Sequence, residues 1–301
     1  MEQNYRCTQV VQLDGHAPLD FLRASAICPV ARRRALLYRL LSMVDIHCHI
    51  LPGIDDGAKS MEISVQMAEI AIADGITHVI ATPHSNAEYN FRPELVLQLR
   101  NELQAKVEGR LNLATGCDFH LSYENLADIQ VNKTKYTLNQ KNYLLVEFAD
   151  FAIPPNIDDT LHNLHLLGLH PIITHPERNG LIRHQPEKLW RWMRQGCYVQ
   201  VTAQSLLGRF GKDTAKIVLD WLDDERIHFI ATDAHSVTGR PLKLREAYDL
   251  VANRRGISIA DALFIHNPMA AFEGKPLPYQ PDPPPDKNSP SYKKKKRFIF
   301  F

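Results

Sequence analysis

The segment Asp45–Ser60 reads DIHCHILPGIDDGAKS, and its first residues alternate in the pattern of a β-strand. Side chains two apart on a strand project from the same face, so His47 and His49 are able to bind one metal ion together. Cys48 projects from the opposite face, where we expect a packed core cysteine. The loop that follows supplies further carboxylates, among them Asp56. Taken alone, such a histidine pair is more often a hydrogen-bonded rim feature than a metal site, so the rest of the sequence decides.

Six further runs of β-branched and apolar residues follow, separated by amphipathic stretches that end in glycine. This alternation is the pattern of repeated βα units. With the first run included, the predicted strands are Val44–Ile50, His78–Thr82, Leu111–Phe119, Tyr143–Phe148, Pro171–Thr174, Tyr198–Thr202 and His228–Thr232. Seven units predict an α/β fold, a distorted seven-stranded (β/α)7 barrel of the TIM type. The sequence contains no G-x-G-x-x-G or G-x-x-x-x-G-K-[ST] motif that would favour an open nucleotide-binding sheet.

Three of the intervening stretches have clear helix boundaries. Each carries apolar residues at helical spacing and is followed by glycine, which readily adopts the left-handed conformation that ends many helices. The predicted helices are Ser60–Asp74 before Gly75, Ile157–Leu167 before Gly168, and Pro186–Gln195 before Gly196.

Nearly every predicted strand ends in a residue type that binds metal ions, and barrel enzymes gather their catalytic groups at the carboxyl ends of strands. Only the strand that ends at Thr202 has neither histidine nor a carboxylate there. Singly, each such residue is often a rim or turn residue; together, the set predicts bound metal. The candidates are His47, His49, Asp56, His84, Asp118, His120, Glu147, His175, Glu177, Asp233 and His235.

The ligand types and the cysteines narrow the kind of site. Imidazole and carboxylate ligands without a thiolate pattern suit Mn²⁺, Fe²⁺ or Zn²⁺ better than Ca²⁺ or copper. The five cysteines are an odd number and are widely spaced, without a C-x-x-C pair. This argues against a disulfide framework and against a structural zinc site, and it favours a cytoplasmic protein.

Composition predicts the limits of the domain and excludes some partners. We expect a poorly ordered extension over residues 1–42, a barrel over 43–275 and a disordered, proline-rich, basic tail over 276–301. Met43 is an alternative start of translation, which would remove the extension. A net charge of +1 does not favour nucleic acid as a partner. The final KKKKRFIFF at 293–301 is too short for stable membrane insertion and allows at most weak surface contact.

Several motifs resemble the polymerase and histidinol phosphatase (PHP) superfamily. Within it, the chain is similar to the bacterial protein-tyrosine phosphatases of capsule and exopolysaccharide operons, the CpsB/CapC type. The resemblance runs from Met43 to about Phe272. Its motifs are DIHCHILPGIDDGAKS at 45–60, TPH at 82–84, VEF at 146–148, THPER at 174–178, TDAH at 232–235, GRP at 239–241 and HNP at 266–268. The first is long and particular to this group.

The resemblance implies a PHP fold and a site for up to three divalent ions, most often Mn²⁺. In the implied ligand set, His47, His49 and Asp233 hold the first ion, Asp56, His84 and His235 the second, and Glu147 and His175 the third, with Asp118 bridging the first and third. The resemblance also implies that Arg178 and Arg240 bind the phosphate. Asp118 departs from the family, which usually has glutamate at this position, longer by one methylene.

The resemblance implies a metal-dependent protein-tyrosine phosphatase whose substrate is a bacterial tyrosine kinase that regulates capsular or exopolysaccharide synthesis. Two alternatives stay open: a small-molecule phosphoesterase of the histidinol phosphatase type, and an inactive metal-binding regulatory module. Cys28 and Arg34 fit the C-x-x-x-x-x-R spacing of cysteine-dependent phosphatases. The residues between them lack the glycines that let backbone amides converge on phosphate, so we do not favour that mechanism.

Overall fold

The computed structural model of the protein describes residues 42–149 and 152–283, which form an α/β fold. Each of the seven predicted runs contains a strand. The nine described strands are β1 (Met43–Cys48), β2 (Ile76–Ala81), β3 (His84–Ser85), β4 (Asn112–Thr115), β5 (Asp118–His120), β6 (Tyr143–Glu147), β7 (His170–Thr174), β8 (Tyr198–Thr202) and β9 (Phe229–Ala231).

The strands form two parallel sheets, with the orders β1-β2-β4 and β3-β5-β6-β7-β8-β9. This differs from the predicted single set of seven strands in two places: the predicted run Leu111–Phe119 is divided at Gly116, and β3 lies beyond the end of the predicted run His78–Thr82. The Gly116 N–H donates to Ala81 O at 2.9 Å, and the Asp118 N–H donates to Pro83 O at 3.1 Å. Pro83 has no N–H to donate, so it interrupts the neighbouring strand at the same level. β4 therefore pairs with β2, and β5 with β3.

Helices follow most of the strands. The described α-helices are α1 (Met61–Asp74), α2 (Pro93–Lys106), α3 (Tyr123–Val131), α4 (Ile157–Leu166), α5 (Gly180–His184), α6 (Glu187–Arg194), α7 (Ala203–Leu206), α8 (Lys212–Asp223), α9 (Arg245–Arg255), α10 (Ile257–Asp261) and α11 (Asn267–Glu273). The three helices with predicted boundaries, α1, α4 and α6, are confirmed to within one residue at each end. In α1, the Ser60 hydroxyl accepts a hydrogen bond from Ile63 N, and Gly75 at φ 92° donates to the carbonyl oxygens of Ala71 and Ile72.

Backbone hydrogen bonds bring the carboxyl end of β1 against the segment after β9. His49 N donates to Ala234 O, and Asp233 N donates to His47 O, both at 2.9 Å. Cys48 lies between the two histidines, forms a parallel bridge with Ala234 and is fully buried in the apolar core, as expected. Chain segments nearly two hundred residues apart in sequence therefore meet beside the histidine pair.

Some of the sequence predictions fall outside the described residues. These are the extension over 1–42, apart from its last residue; Cys28 and Arg34 within it; and the tail beyond residue 283. Among the helices that the structure describes, none has both the length and the hydropathy to cross a bilayer.

Candidate metal centre

All nine predicted ligands lie at or beyond the carboxyl ends of β1, β2, β4, β6, β7 and β9, with His84 and Asp118 beginning the short strands that come three residues after β2 and β4. They are His47 on β1, His49 and Asp56 after β1, His84 on β3, Asp118 on β5, Glu147 on β6, His175 after β7, and Asp233 and His235 after β9. Their nitrogen and oxygen atoms form overlapping groups, and within each group the ligand atoms lie within 4.8 Å of one another. The structure thus brings all nine side chains together, although it divides them differently from the predicted ligand sets.

The first group contains His47, His175 and Asp233. His47 Nε2 lies 3.4 Å from Asp233 Oδ1, and the rings of His47 and His175 are 5.5 Å apart. His175 and Asp233 have φ values of 31° and 50°, in a region that residues other than glycine rarely adopt. Such strain persists where the surrounding structure fixes the backbone, and it is common at functional sites. Here it turns both side chains toward His47.

The second group contains Asp56, His84 and His235, as predicted, together with His49. Asp56 Oδ1 lies 3.3 Å from His235 Nε2 and 3.4 Å from His84 Nε2. His49 was predicted beside His47 and Asp233; its Nε2 does lie 3.4 Å from Asp233 Oδ1, but its ring lies only 3.9 Å from that of His235. His49 therefore faces both groups, and it also forms a further group with His47 and Asp118, the residues that the predicted first set and its bridge combine.

The third group contains His84, Asp118, His120 and Glu147. His84 Nδ1 lies 3.1 Å from Asp118 Oδ2 and 3.4 Å from Glu147 Oε2, and His120 Nε2 contacts the same Glu147 oxygen. His175, predicted in this set, reaches Glu147 Oε1 at 3.3 Å. His120 is absent from the implied ligand set, although it follows Asp118 by two residues and so repeats the spacing of His47 and His49.

Two side chains outside the predicted ligand set orient the rings of His47 and His49. Gln200 Oε1 lies 3.0 Å from His47 Nδ1, and Asp55 Oδ2 lies 2.8 Å from His49 Nδ1. With Nδ1 engaged, Nε2 of each ring is directed into the cluster, which is the usual arrangement behind a metal-binding histidine. Gln200 also explains the strand that ends at Thr202: β8 contributes to the site through a supporting residue.

The cluster has the electrostatic character of a cation site. Both Asp118 oxygens are buried and accept no hydrogen bond from any described residue. Burial disfavours the charged form of Asp118, but the neighbouring His47 and His84 hold the pKa of its carboxyl well below the usual range. Burial likewise lowers the pKa of His47, but the Asp118 and Asp233 carboxylates outweigh it and raise that pKa to about 9. Buried oxygens without donors, set among imidazoles, fit divalent ions.

Two arginines approach the cluster from one side. The guanidinium groups of Arg178 and Arg240 both donate to Asp233 Oδ2. The Phe210 ring covers both, with its centroid 5.1 Å from the Arg178 guanidinium carbon and 5.9 Å from that of Arg240. Two partly buried cations aimed at one carboxylate oxygen form a concentrated anion-binding position beside the proposed ions.

A recess opens beside Glu147 and His120, on the side of the third group. Its volume is about 420 Å³, and its walls are mainly apolar, with Phe148, Ile153 and Pro154 among them. An apolar recess next to a charged cluster offers a place for an aromatic or aliphatic group attached to a bound anion.

Solved structures with this architecture support the fold. Crystal structures of YwqE from Bacillus subtilis and CpsB from Streptococcus pneumoniae are described as metal-dependent tyrosine phosphatases. One of these chains matches with a TM-score of 0.75 and 32% identity, over 81% of this chain and 100% of that one. A β-aspartyl dipeptidase from Fervidobacterium islandicum matches at a TM-score of 0.50 and 14% identity, which concerns the fold alone.

Sequence relatives and a family model agree with the structural match. CapC from Staphylococcus aureus is 37% identical over 69% of this chain and 82% of CapC. The tyrosine-protein phosphatase YwqE from Bacillus subtilis is 36% identical over 68% of this chain and 82% of its own length. The family described as capsular polysaccharide synthesis, CpsB/CapC, matches residues 43–273. The chain therefore belongs to the CpsB/CapC family.

Proposed function

We propose that this protein is a metal-dependent protein-tyrosine phosphatase. The observation that carries the proposal is the set of overlapping imidazole and carboxylate groups with two arginines beside it. Relatives at 36% and 29% identity are tyrosine-protein phosphatases, which supports the same reaction here. The proposed substrate is phosphotyrosine on a bacterial tyrosine kinase that regulates capsular or exopolysaccharide synthesis, consistent with the family.

The proposed ions are up to three Mn²⁺, with Fe²⁺ or Zn²⁺ as alternatives. The residues proposed to hold them are His47, His49, Asp56, His84, Asp118, Glu147, His175, Asp233 and His235. Bound divalent ions lower the pKa of water toward neutrality and offset negative charge on a phosphoryl group, which is the chemistry that phosphoester hydrolysis requires. Gln200 and Asp55 hold the rings of His47 and His49 in place for this role.

Arg178 and Arg240 are proposed to bind the phosphoryl oxygens. A guanidinium group offers a planar fork of donors that matches two oxygens of a phosphate. Both arginines already point at one anionic oxygen, that of Asp233, so a phosphoryl group bound there would meet preformed donors. Phe210 restricts both side chains by lying over them.

The recess lined by Phe148, Ile153 and Pro154 is proposed to receive the phenol ring of the substrate. The phenol group of tyrosine has a pKa of about 10, lower than that of an alkyl alcohol, so the departure of the phenolate needs less help from a general acid. An apolar wall is sufficient for such a leaving group.

We infer that the two parallel sheets together form one distorted barrel of the PHP type, seven-stranded when β2 with β3 and β4 with β5 each count as one interrupted strand. The hydrogen bonds between β1 and the segment after β9 support this inference. The proposed domain limits are residues 43–275, with 1–42 and 276–301 as flanking segments. A cytoplasmic location is supported by the free, buried thiols of Cys48, Cys117 and Cys197.

The test is phosphate release from a phosphotyrosine peptide by the full chain, measured after chelation and after return of Mn²⁺, Fe²⁺ or Zn²⁺ singly. We expect activity to disappear with chelation and to return with at least one ion. Histidinol phosphate serves as the comparison substrate. A much higher rate on it would replace the proposed substrate, and inactivity on both with every ion would favour a regulatory module.

A further test separates this mechanism from a thiolate mechanism. We expect Cys28→Ser to retain wild-type turnover, because the proposed reaction uses no cysteine nucleophile. Loss of turnover in this variant with its metal content unchanged would contradict the mechanism.

A further inference from the structure

His120 lies inside the third group, although the proposed ligand set leaves it out. It ends β5 two residues after Asp118, so both side chains project from the same face of the strand. Its Nε2 contacts Glu147 Oε2, and it forms with His84, Asp118 and Glu147 a group whose ligand atoms lie within 4.8 Å of one another. The imidazole is therefore within coordinating reach of any ion that Asp118 and Glu147 share.

The buried atoms around this position contact one another without forming hydrogen bonds. Both Asp118 oxygens, Glu147 Oε2 and His84 Nδ1 are buried and have no hydrogen bond with any residue that the structure describes. Buried polar atoms normally have a partner, and four of them facing one small space indicate a ligand held in common. Because the oxygens belong to two carboxylates, that ligand is a cation.

The short side chain of Asp118 gives a physical reason for an additional ligand at the position between Asp118 and Glu147. Aspartate is one methylene shorter than glutamate, so the Asp118 carboxylate reaches about 1.5 Å less far from β5 than a glutamate would. His120 is the next residue on the same face of β5, and its side chain is 23% exposed, so it approaches the cluster from the rim. The Asp118 carboxylate therefore stays closer to its own strand, and the imidazole nitrogen of His120 supplies an additional donor beside it.

We propose that His120 is a ligand of the ion held between Asp118 and Glu147. The inference rests on the proposed metal-dependent function. An added imidazole raises the share of nitrogen ligands at this position. Imidazole nitrogen suits Zn²⁺ and Fe²⁺, whereas carboxylate and carbonyl oxygens suit Mn²⁺. This position therefore favours Zn²⁺ or Fe²⁺ over Mn²⁺ more than Asp118, Glu147 and His175 would without His120.

The first experiment measures metal content and affinity without reference to activity. Wild type, His120→Ala and His120→Gln are dialysed against buffered free Mn²⁺ or Zn²⁺, and the bound ions per chain are determined by elemental analysis. Glutamine keeps a donor for Glu147 but is a poor ligand, so it separates coordination from simple positioning of Glu147. We expect both variants to lose one class of bound ion or to bind it at least about tenfold more weakly. His162→Ala, an exposed histidine on α4, is the control and keeps the wild-type binding curve.

The second experiment tests the compensation for the short carboxylate. Asp118→Glu is introduced alone and together with His120→Ala. We expect the longer carboxylate alone to preserve or increase occupancy, and in the double variant to restore the ion that His120→Ala loses. Circular dichroism and thermal unfolding of each apoprotein verify that the variants are folded.

The outcomes distinguish this inference from the proposed function. Wild-type binding curves for both His120→Ala and His120→Gln would overturn the ligand role and leave the phosphatase proposal standing. Loss of the ion in His120→Ala but not in His120→Gln would also overturn it, by showing that His120 only positions Glu147. A wild-type chain that binds no divalent ion would overturn the metal-dependent function and this inference with it.

Discussion

Histidines lie at both ends of the strands, and the side chains around them differ between the two ends. At the carboxyl end, the carboxylates of Asp118 and Asp233 outweigh burial and raise the pKa of His47 to about 9. At the amino end, burial lowers the pKa of His228 to about 3 and also lowers that of His170. Burial also lowers the pKa of His175 and His235 at the carboxyl end, so the direction of a pKa shift does not separate the two ends. The surrounding carboxylates do, because burial alone shifts the pKa of His228 and His170.

The surroundings of the amino end show what its histidines do. His228 packs against Tyr198, with ring centroids 5.0 Å apart, and its Nδ1 accepts a hydrogen bond from Val199 N. The Asn267 amide donates to the backbone oxygens of His228 and Tyr279, which ties the segment after α11 to this end. The amino end is thus built from ring packing and backbone hydrogen bonds, whereas the carboxyl end gathers imidazole and carboxylate side chains.

Removing one histidine from each end is the strongest test of whether only the carboxyl end is needed for turnover. In His47→Ala we expect metal-stimulated turnover to fall by more than about 1,000-fold, the upper range for loss of one preorganised donor, because an ion loses its ligand. The matched variant His170→Ala at the amino end is expected to stay within about twofold of wild type. Phosphate release and elemental analysis of both proteins are the measurements. Similar losses in the two variants would end the functional distinction between the ends.

Variants of the arginines allow anion binding at the carboxyl end to be measured separately from metal binding. In Arg178→Ala we expect kcat/KM for a phosphotyrosine peptide to fall by about 100-fold, since one donor to the phosphoryl group is lost. Metal content is expected to stay at the wild-type level, and Arg178→Lys to recover only part of the rate, because a single ammonium cannot replace the fork. Loss of bound ions in Arg178→Ala would show instead that the arginine supports the ligand Asp233.

Gln200 tests how far the carboxyl end depends on residues that touch no ion. In Gln200→Leu the ring of His47 loses its partner at Nδ1, and we expect metal affinity to fall by about tenfold. Titration of the apoprotein with Mn²⁺ measures this directly. Gln200→Glu, which keeps an acceptor oxygen, is the control and should bind more tightly than the leucine variant. Equal affinities in wild type and Gln200→Leu would remove the supporting role.

The sequence was sufficient where local pattern decides the structure. Alternation placed β1, and helical spacing with a following glycine placed α1, because both depend on neighbours in the chain. It failed at Gly116, where the strand changes sheets because the partner strand is interrupted at Pro83, a fact of tertiary pairing. It placed His49 beside His47 but gave no sign that its ring also lies 3.9 Å from that of His235, since spacing gives the face of a strand but not a distance across the site.

Gln200 was not among the sequence candidates, whereas His120 was a candidate that the implied ligand set left out, and the physical reasons differ. Gln200 acts through His47, and an amide two residues before the end of a strand has no signature of its own in a sequence. His120 had a signature, the spacing of two from Asp118, but the ligand set implied by the resemblance does not include it. A departure at one ligand is therefore a reason to examine the neighbouring positions on the same face.

The smallest expected effect concerns stability and tests the amino end alone. Burial holds the pKa of His228 at about 3, below its ordinary value of 6.5, so below pH 6.5 the unfolded chain binds a proton that the folded chain does not. Stability from this residue is therefore intact above pH 6.5 and decreases as the pH falls toward 3. Between pH 7.5 and 5.5 we expect a loss of about 1.4 kcal/mol, which His228→Asn should lack while keeping an acceptor for Val199 N. Urea unfolding of the two apoproteins at both pH values measures the difference in slope, whatever the substitution costs at either pH. Identical slopes would mean that His228 is protonated in the folded protein, and that the amino end holds a charged histidine after all.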